Sequence, residues 1–529
     1  MAARLRTPVW HHTVSTRRSF STSPGTTTQD LFSYTSGRFL YNEKTRLRER
    51  YVKFDPGALL SEVEKHLGPS HGRAAHVAKL AEGGYNRVFS VAMEDGFEAV
   101  VKIPYLFTGP KHYATASEAA TLTYLHSRGI PVPEVYGYSS SKNNQVGVEY
   151  ILMEKAKGVG LDTAWLTLSK RHLHTLASSF VDIENEFSNI PFGSIGSIYF
   201  KTDVPSELQA ALYRPDVEQD AASETFCIGP TADTTFWHGK RAGMDLYRGP
   251  WKTPTEYLRS VAEKEIEWTQ RFGKPLELDF PHNGVFPGEK LPEEYLALLQ
   301  KYLTMVPCLL SKDSDSRLNS PTLRHLDLNP NNLFVSPETG GISCIIDWQH
   351  TVIEPRLLAA GHPLAFESPD PEQPLSLTEP SLPPDMNTLP TEAKLEAEEL
   401  YRRRLLSHYY YIFNGHPTKP HLEALRDPFP LPRQHLGALI RMEEYWTRRP
   451  DTAGVPCPVQ FSDAEMEEFC VQDELLFAMN NAVNQWLDRV GGASEEGWIS
   501  NDRYEDAGDE EDIRLLEKGW LFRDREESD

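Results

Sequence analysis

The chain has 529 residues, 39% hydrophobic and 25% charged, the composition of an ordinary globular protein with room for two lobes or more than one domain. Its 76 Asp and Glu outnumber 54 Lys and Arg, and the formal net charge of −22 argues against general nucleic-acid binding while allowing a local basic pocket. No stretch has the apolar length of a bilayer-crossing helix, and the five cysteines, at 227, 308, 344, 457 and 470, contain no CxxC pair and suggest neither a disulfide framework nor a zinc site.

In chain order, residues 1–29 read as a leader. Met1 to Gln29 hold no Asp or Glu, while Arg4, Arg6, Arg17 and Arg18 lie among Ser and Thr, which is the composition of a mitochondrial transit peptide. Arg18-Ser19-Phe20-Ser21 resembles a matrix-protease cleavage site. This reading implies the mitochondrion, with the matrix as destination and the import and processing machinery as partners; a disordered basic tail with no address is the plainer alternative. Residues 30–54 read as a polar linker.

From residue 55 to 156 the pattern predicts a small strand-rich lobe. A helix over Gly57–Leu67 precedes strands over Ala74–Leu80, Arg87–Ala92 and Phe97–Ile103, joined at Gly83-Gly84 and at Glu94-Asp95-Gly96. A helix over Ala114–Arg128 stops at Gly129 and Pro131, and strands over Pro133–Tyr138 and Val146–Glu154 complete a five-stranded sheet. Lys155–Leu161, with glycines at 158 and 160, reads as a hinge. Residues 157–490 are mainly helical, with helices over Lys170–Ser188, Pro254–Phe272, Pro292–Leu310, Glu392–Phe413, His435–Thr447 and Ser462–Leu487. Asn189–Gly249 is irregular, residues 361–390 form a Pro-rich excursion or flap, and residues 491–529 form an acidic tail. Strands first and helices second predict a bilobal α+β architecture.

The strongest chemical signal is His325-Leu326-Asp327-Leu328-Asn329-Pro330-Asn331-Asn332, which has the form H-x-D-x-x-x-x-N. Strands over Leu333–Val335 and Ile342–Ile346 flank the turn sequence Ser336–Gly341. Folding that hairpin brings Asn332 beside Asp347, two oxygen donors of the hard kind that Mg²⁺ prefers. Asp327 would then lie beside the metal, able to accept or orient the proton of an attacking hydroxyl. The alternative makes Asp327 and Asn332 ordinary loop formers.

The first lobe adds Lys102. Strand alternation puts it on a face with Val100, and a lysine there is expensive unless its ammonium has partners. On the following helix Glu118 recurs with Leu122 and Leu125 at i, i+4 and i+7, so its carboxylate faces inward and is placed to pair with Lys102. A surface lysine and a solvated glutamate are the alternative. Gly83 and Gly84 precede Lys102 by a turn and a strand, where backbone N–H groups can approach phosphate oxygens, although a plain hairpin turn would use them equally well.

This order of glycine turn, strand lysine, helix glutamate, hinge, H-x-D-x-x-x-x-N loop and Ile345-Ile346-Asp347-Trp348 resembles the aminoglycoside phosphotransferase and choline kinase superfamily, over roughly residues 75 to 490. The resemblance implies a protein-kinase-like fold and transfer of the γ-phosphoryl group of ATP to a hydroxyl of a small molecule. It implies Asp327 as catalytic base, Asn332 and Asp347 as Mg²⁺ ligands, Lys102 as phosphate contact and Glu118 as its ion-pair partner. The leader, the run Phe32–Leu40 and the run Glu82–Phe89 are similar to fungal "altered inheritance of mitochondria" phosphotransferase-like proteins, which implies a part in mitochondrial maintenance. Leu326, Asn329 and Asn331 depart from the His-Gly-Asp-Leu-His-Pro-Gly-Asn loop of many members, on the acceptor side. The rival from another class is a catalytically silent scaffold that binds nucleotide or a protein partner.

Overall fold

The computed structural model describes residues 28–504 apart from 280, 311–315, 326, 371–377, 416–445, 447–453, 491 and 495. Most of the leader, Leu326, the helix expected over His435–Thr447 (Trp446 excepted) and the acidic tail beyond 504 lie outside the described residues.

The first lobe begins with α1 (Pro56–His71), entered through Asp55, whose carboxylate accepts the Ala58 N–H at 2.9 Å, with Pro56 in the first turn. Then follow β1 (Ala74–Glu82), β2 (Asn86–Met93), β3 (Glu98–Pro104), α2 (Tyr113–Ser127), β4 (Val135–Ser139) and β5 (Tyr150–Glu154). The strands form one antiparallel sheet in the order β1-β2-β3-β5-β4. In β3 the expected alternation holds. Ala99, Val101 and Ile103 pack with Leu59, Val63 and Leu67 of α1, while Val100 packs with Ala119 and Leu122 of α2. The sheet is thus covered on both faces, and α2 brings Glu118 under the strand that carries Lys102.

The stretch read as a linker, residues 30–54, is instead packed structure. Phe32 and Phe54 enter the first-lobe core, and Arg38–Phe39 pairs antiparallel with Trp498–Ile499. Gly37 permits that approach, since an added Cβ would lie 2.3 Å from the Trp498 indole nitrogen and 2.6 Å from the Ile499 carbonyl oxygen. Arg50 reaches Glu496 at 2.8 Å. A polar composition concealed this because Glu496, Trp498 and Ile499 are remote in sequence. The segment forms a strap between the first lobe and the C-terminal end of the chain.

The second lobe holds α3 (Lys170–Asn189), β6 (Ser197–Phe200), β7 (Phe226–Gly229), α4 (Pro254–Phe272), α5 (Pro292–Leu309), β8 (Pro321–Arg324), β9 (Leu333–Val335), β10 (Ile342–Ile345), β11 (Val352–Pro355), α6 (Thr391–Phe413) and α7 (Asp463–Arg489). The region expected to be irregular contains a three-stranded sheet, with β7 between β6 and Ala210–Ala211. The hinge is pinned: Val159 and Gly160 pair with Val335 and Phe334 of β9. Gly158 has a φ of 93°, and a Cβ there would lie 2.5 Å from the Val335 carbonyl oxygen, so only glycine fits. The Pro-rich excursion is anchored in its first part by Phe366, which stacks on Phe180 of α3 at 4.6 Å.

Candidate active site

Two pairings set the site. β8 pairs with β11 and β9 with β10, so the loop from β8 to β9 and the turn from β10 to β11 lie side by side. The first carries His325, Asp327 and Asn332, and the second carries Asp347 and His350. The Ile346 N–H donates to the Asn332 carbonyl at 3.0 Å, which fixes the two expected metal ligands next to each other in register.

Lys102 joins the lobes. Its ammonium lies 2.7 and 2.9 Å from the two oxygens of Glu118 and 2.6 Å from Asp347 Oδ1. Lys102 is 5% exposed and Glu118 4%. Burial would lower the lysine, yet the two carboxylates hold it above its usual value, so it stays charged. Burial pushes Glu118 up in spite of Lys102. Burial would raise Asp347 as well, but the ammonium beside it prevails and holds its carboxyl below the usual range. Asp347 also has a φ of 65°, an uncommon and strained conformation outside glycine, of the kind held in place by surrounding structure at functional sites.

Asp327 is exposed, and its carboxylate is oriented by two amides. Asn329 Nδ2 donates to Oδ1 at 2.7 Å, and Asn332 Nδ2 donates to the Asp327 carbonyl at 2.7 Å and to Oδ2 at 3.3 Å. With its amide nitrogen so committed, Asn332 keeps its Oδ1 as the atom able to ligate a cation. His325 holds the loop from behind. It accepts the Asp327 N–H on Nδ1 at 3.2 Å, so Nε2 carries the proton and donates to the Ile346 carbonyl at 2.9 Å. Burial pushes its pKa down, and the ring packs edge-on against Trp348 at 4.7 Å.

The expected phosphate turn, with Gly83 and Gly84, closes β1 onto β2 through the Gly83 N–H and the Asn86 carbonyl at 2.9 Å. An added Cβ at Gly84 meets no atom within 4 Å, so the packing of the protein itself does not require that glycine. All seven expected site residues are therefore placed: Lys102, Glu118 and Asp347 in direct contact, Asp327 and Asn332 in direct contact, and Gly83 and Gly84 in the adjoining turn. Among the described residues no group of three or more His, Cys, Asp or Glu is arranged to hold a metal. The expected site uses one carboxylate and one amide.

Sequence reasoning missed four residues. Glu82, before the turn, has a 1% exposed side chain that receives Arg87 at 2.7 Å, Lys79 at 3.1 Å and the Thr35 N–H of the strap at 2.8 Å. Asn86 and Gln349 meet across the lobes at 3.0 Å. His350 is 7% exposed and also has positive φ. Glu82 and Arg87 bracket the turn at a spacing that suits a closing ion pair, which was a readable signal; the other two contacts leave no local trace.

A family model described as phosphotransferase enzyme family matches residues 76–374. A subtelomeric hrmA-associated cluster protein of Aspergillus fumigatus is 30% identical, covering 85% of this chain and 97% of the relative. Altered inheritance of mitochondria protein 9, mitochondrial, of Candida albicans is 26% identical over 62% of this chain and 60% of its own length. Among solved structures, aminoglycoside phosphotransferase APH(4)-Ia aligns over 78% of this chain and 96% of its own, at 12% identity and a TM-score of 0.34. A streptomycin-ATP-APH(2")-IIa ternary complex aligns over 58% of this chain and 76% of its own, at 13% identity and a TM-score of 0.31.

Proposed function

The chain belongs to the phosphotransferase enzyme family, and from that premise we propose that it is a mitochondrial, ATP- and Mg²⁺-dependent phosphotransferase acting on a hydroxyl of a small molecule. The observation that carries this is Lys102, a buried ammonium held by Glu118 from its own lobe and by Asp347 from the other. A cation fixed in that way is already oriented to offset charge on phosphate oxygens, with little reorganisation left for the reacting state. The open space over Gly84 leaves room for phosphate against backbone N–H groups. Asn332 Oδ1 and Asp347 are the residues that would hold Mg²⁺, which when bound neutralises phosphate charge. Asp327, exposed and held by two amides, is the group to accept or orient the proton of the acceptor hydroxyl. The acid-free leader and the name of the Candida albicans relative support a mitochondrial address and a part in mitochondrial maintenance, and the leader's Arg18–Ser21 run supports the matrix as destination.

The test begins with Mg·ATP and thermal unfolding, since a ligand that binds only the folded state raises the midpoint. Lys102→Met, checked for folding, should reduce the shift. Turnover of ATP is then measured with a mitochondrial metabolite extract. A shift without turnover favours the silent scaffold; no shift and no calorimetric binding ends the proposal.

A further inference from the structure

Lys102 is held by two carboxylates that arrive on separate elements, Glu118 on α2 and Asp347 on the turn between β10 and β11. Carboxylates around one ammonium repel each other, and the Asp347 charge is among the causes that push Glu118 up. Their spacing must be set by structure that packs on both elements. Residues 189–249, the insert that contains β6 and β7, do so.

On the Asp347 side, β6 lies against the turn. Gly196 and Ile353 exchange backbone hydrogen bonds at 3.0 and 2.7 Å. Ser197, fully buried, donates its hydroxyl to the Thr351 carbonyl at 2.7 Å and accepts the Ala232 N–H at 3.0 Å. The Ala232 carbonyl accepts a hydrogen bond from His350 Nδ1 at 3.0 Å. His350, Thr351 and Ile353, which follow Asp347, are thereby all bonded to the insert.

On the Glu118 side, the same sheet grips α2 along its length. At the cap of the helix, His112 Nε2 donates to the Asp203 carbonyl at 2.8 Å. In the first turn, Ala116 packs with Tyr199 of β6 and Cys227 of β7. Near the end, the Tyr124 and Tyr213 hydroxyls meet at 3.2 Å. Asp203 makes a second bond to the first lobe: its Oδ2 accepts the Tyr138 hydroxyl of β4 at 2.6 Å, while the Tyr138 ring stacks on Phe200, 5.6 Å between centroids. One half-buried residue of the insert thus holds both the start of α2 and the edge strand of the first-lobe sheet.

We propose that the insert is a positioning device for phosphate recognition, with Asp203 as a positioning residue that acts through α2. It fixes Glu118 at the distance from Asp347 at which one ammonium spans both carboxylates. Loss of the Asp203 bond loosens α2 against the turn, and the ammonium then follows one carboxylate away from the phosphate oxygens. The proposal rests on the phosphotransferase reading for the phosphate, and on the contacts of the insert for the clamp.

The experiment compares, on the full chain, the affinity for Mg·ATP with that for adenosine, which has no phosphate for Lys102 to meet, by calorimetry and saturation-transfer NMR. Asp203→Ala should weaken Mg·ATP binding about threefold or more and leave adenosine binding unchanged. Tyr138→Phe keeps the stacked ring and removes only the hydroxyl; it should do the same, and it takes the place of Asp203→Ala should that variant not fold. Asp203→Asn retains an oxygen that accepts the Tyr138 hydroxyl and should behave as wild type. Unchanged Mg·ATP affinity in Asp203→Ala and Tyr138→Phe overturns the proposal. An equal loss for adenosine also overturns it, since a general loosening of the fold would weaken both ligands, and so does a loss in Asp203→Asn as large as in Asp203→Ala. A wild type that binds no Mg·ATP removes the phosphotransferase reading instead. Hydrogen exchange then decides: faster exchange over α2 in Asp203→Ala supports the clamp, and unchanged exchange overturns it.

Discussion

The Asn86 side-chain amide, at the end of the phosphate turn, donates to Gln349 Oε1 at 3.0 Å although 263 positions separate the two residues. Asn86 is 7% exposed, and Gln349 lies two residues past Asp347, so this bond ties the phosphate turn to the expected metal turn across the cleft. Gln349→Leu should cost about 1–2 kcal/mol by leaving the amide unpaired, and should weaken Mg·ATP binding severalfold by calorimetry. A double-mutant cycle with Asn86→Ala should give a coupling of about 0.5 kcal/mol or more; strict additivity would mean that the contact does not organise the cleft.

Asp347 and Asp327 should separate metal binding from proton handling. Asp347→Asn keeps the side-chain size but removes a charge beside Lys102 and from the divalent site, so Mg-dependent nucleotide affinity and turnover should fall together. Asp327→Asn should leave Mg·ATP affinity nearly intact and cut turnover by roughly a hundredfold or more. Full activity in Asp327→Asn would discard the base assignment, and equal loss of nucleotide affinity in both variants would make the two carboxylates one metal site.

Glu82 should prove to be a structural anchor of the turn. Its carboxylate is shared by Arg87, Lys79 and the strap, and Arg87 is itself 1% exposed. Glu82→Ala leaves a buried guanidinium with its charge uncompensated, at a cost of about 3 kcal/mol in urea unfolding. Limited proteolysis should then cut first near residues 33–50; an unchanged cleavage pattern would detach the strap from the turn.

Glu184 on α3 should make stability fall as pH rises. Burial pushes its carboxyl up to about 8, against hydrogen bonds from Tyr410 and Asn414. The folded pKa lies above the unfolded one, so the folded state binds more protons between the two. The contribution is complete below about pH 4.5 and is lost as pH climbs through about 8. Comparing about pH 5 with about pH 8, Glu184→Gln should gain on the order of 2 kcal/mol relative to wild type. Parallel stability curves for the two proteins would exclude a buried proton at this position.

How much could be read in advance differs from residue to residue for a physical reason. The register that sets Lys102 with Val100, and the helical period that sets Glu118 with Leu122, are consequences of backbone geometry over a few residues, and both held. The hairpin over Leu333–Ile345 was legible because Ser336–Gly341 is turn chemistry between two apolar runs, and it carried Asn332 to the Asp347 turn.

Residues 30–54 looked like a linker because their polar groups have partners hundreds of positions away: Arg50 meets Glu496, and Phe39 pairs with Trp498. The strained backbone of Asp347 and the buried His350 Nε2, without a hydrogen-bond partner among the described residues, depend on which loops pack together. The sequence by itself therefore determined the elements and the order of the chemical groups, because hydrogen-bond periodicity and turn propensity act locally. Only the tertiary structure decided that the strap pairs with the C-terminal end and that one ammonium serves both lobes, because burial and ion pairing depend on distances that chain order does not specify.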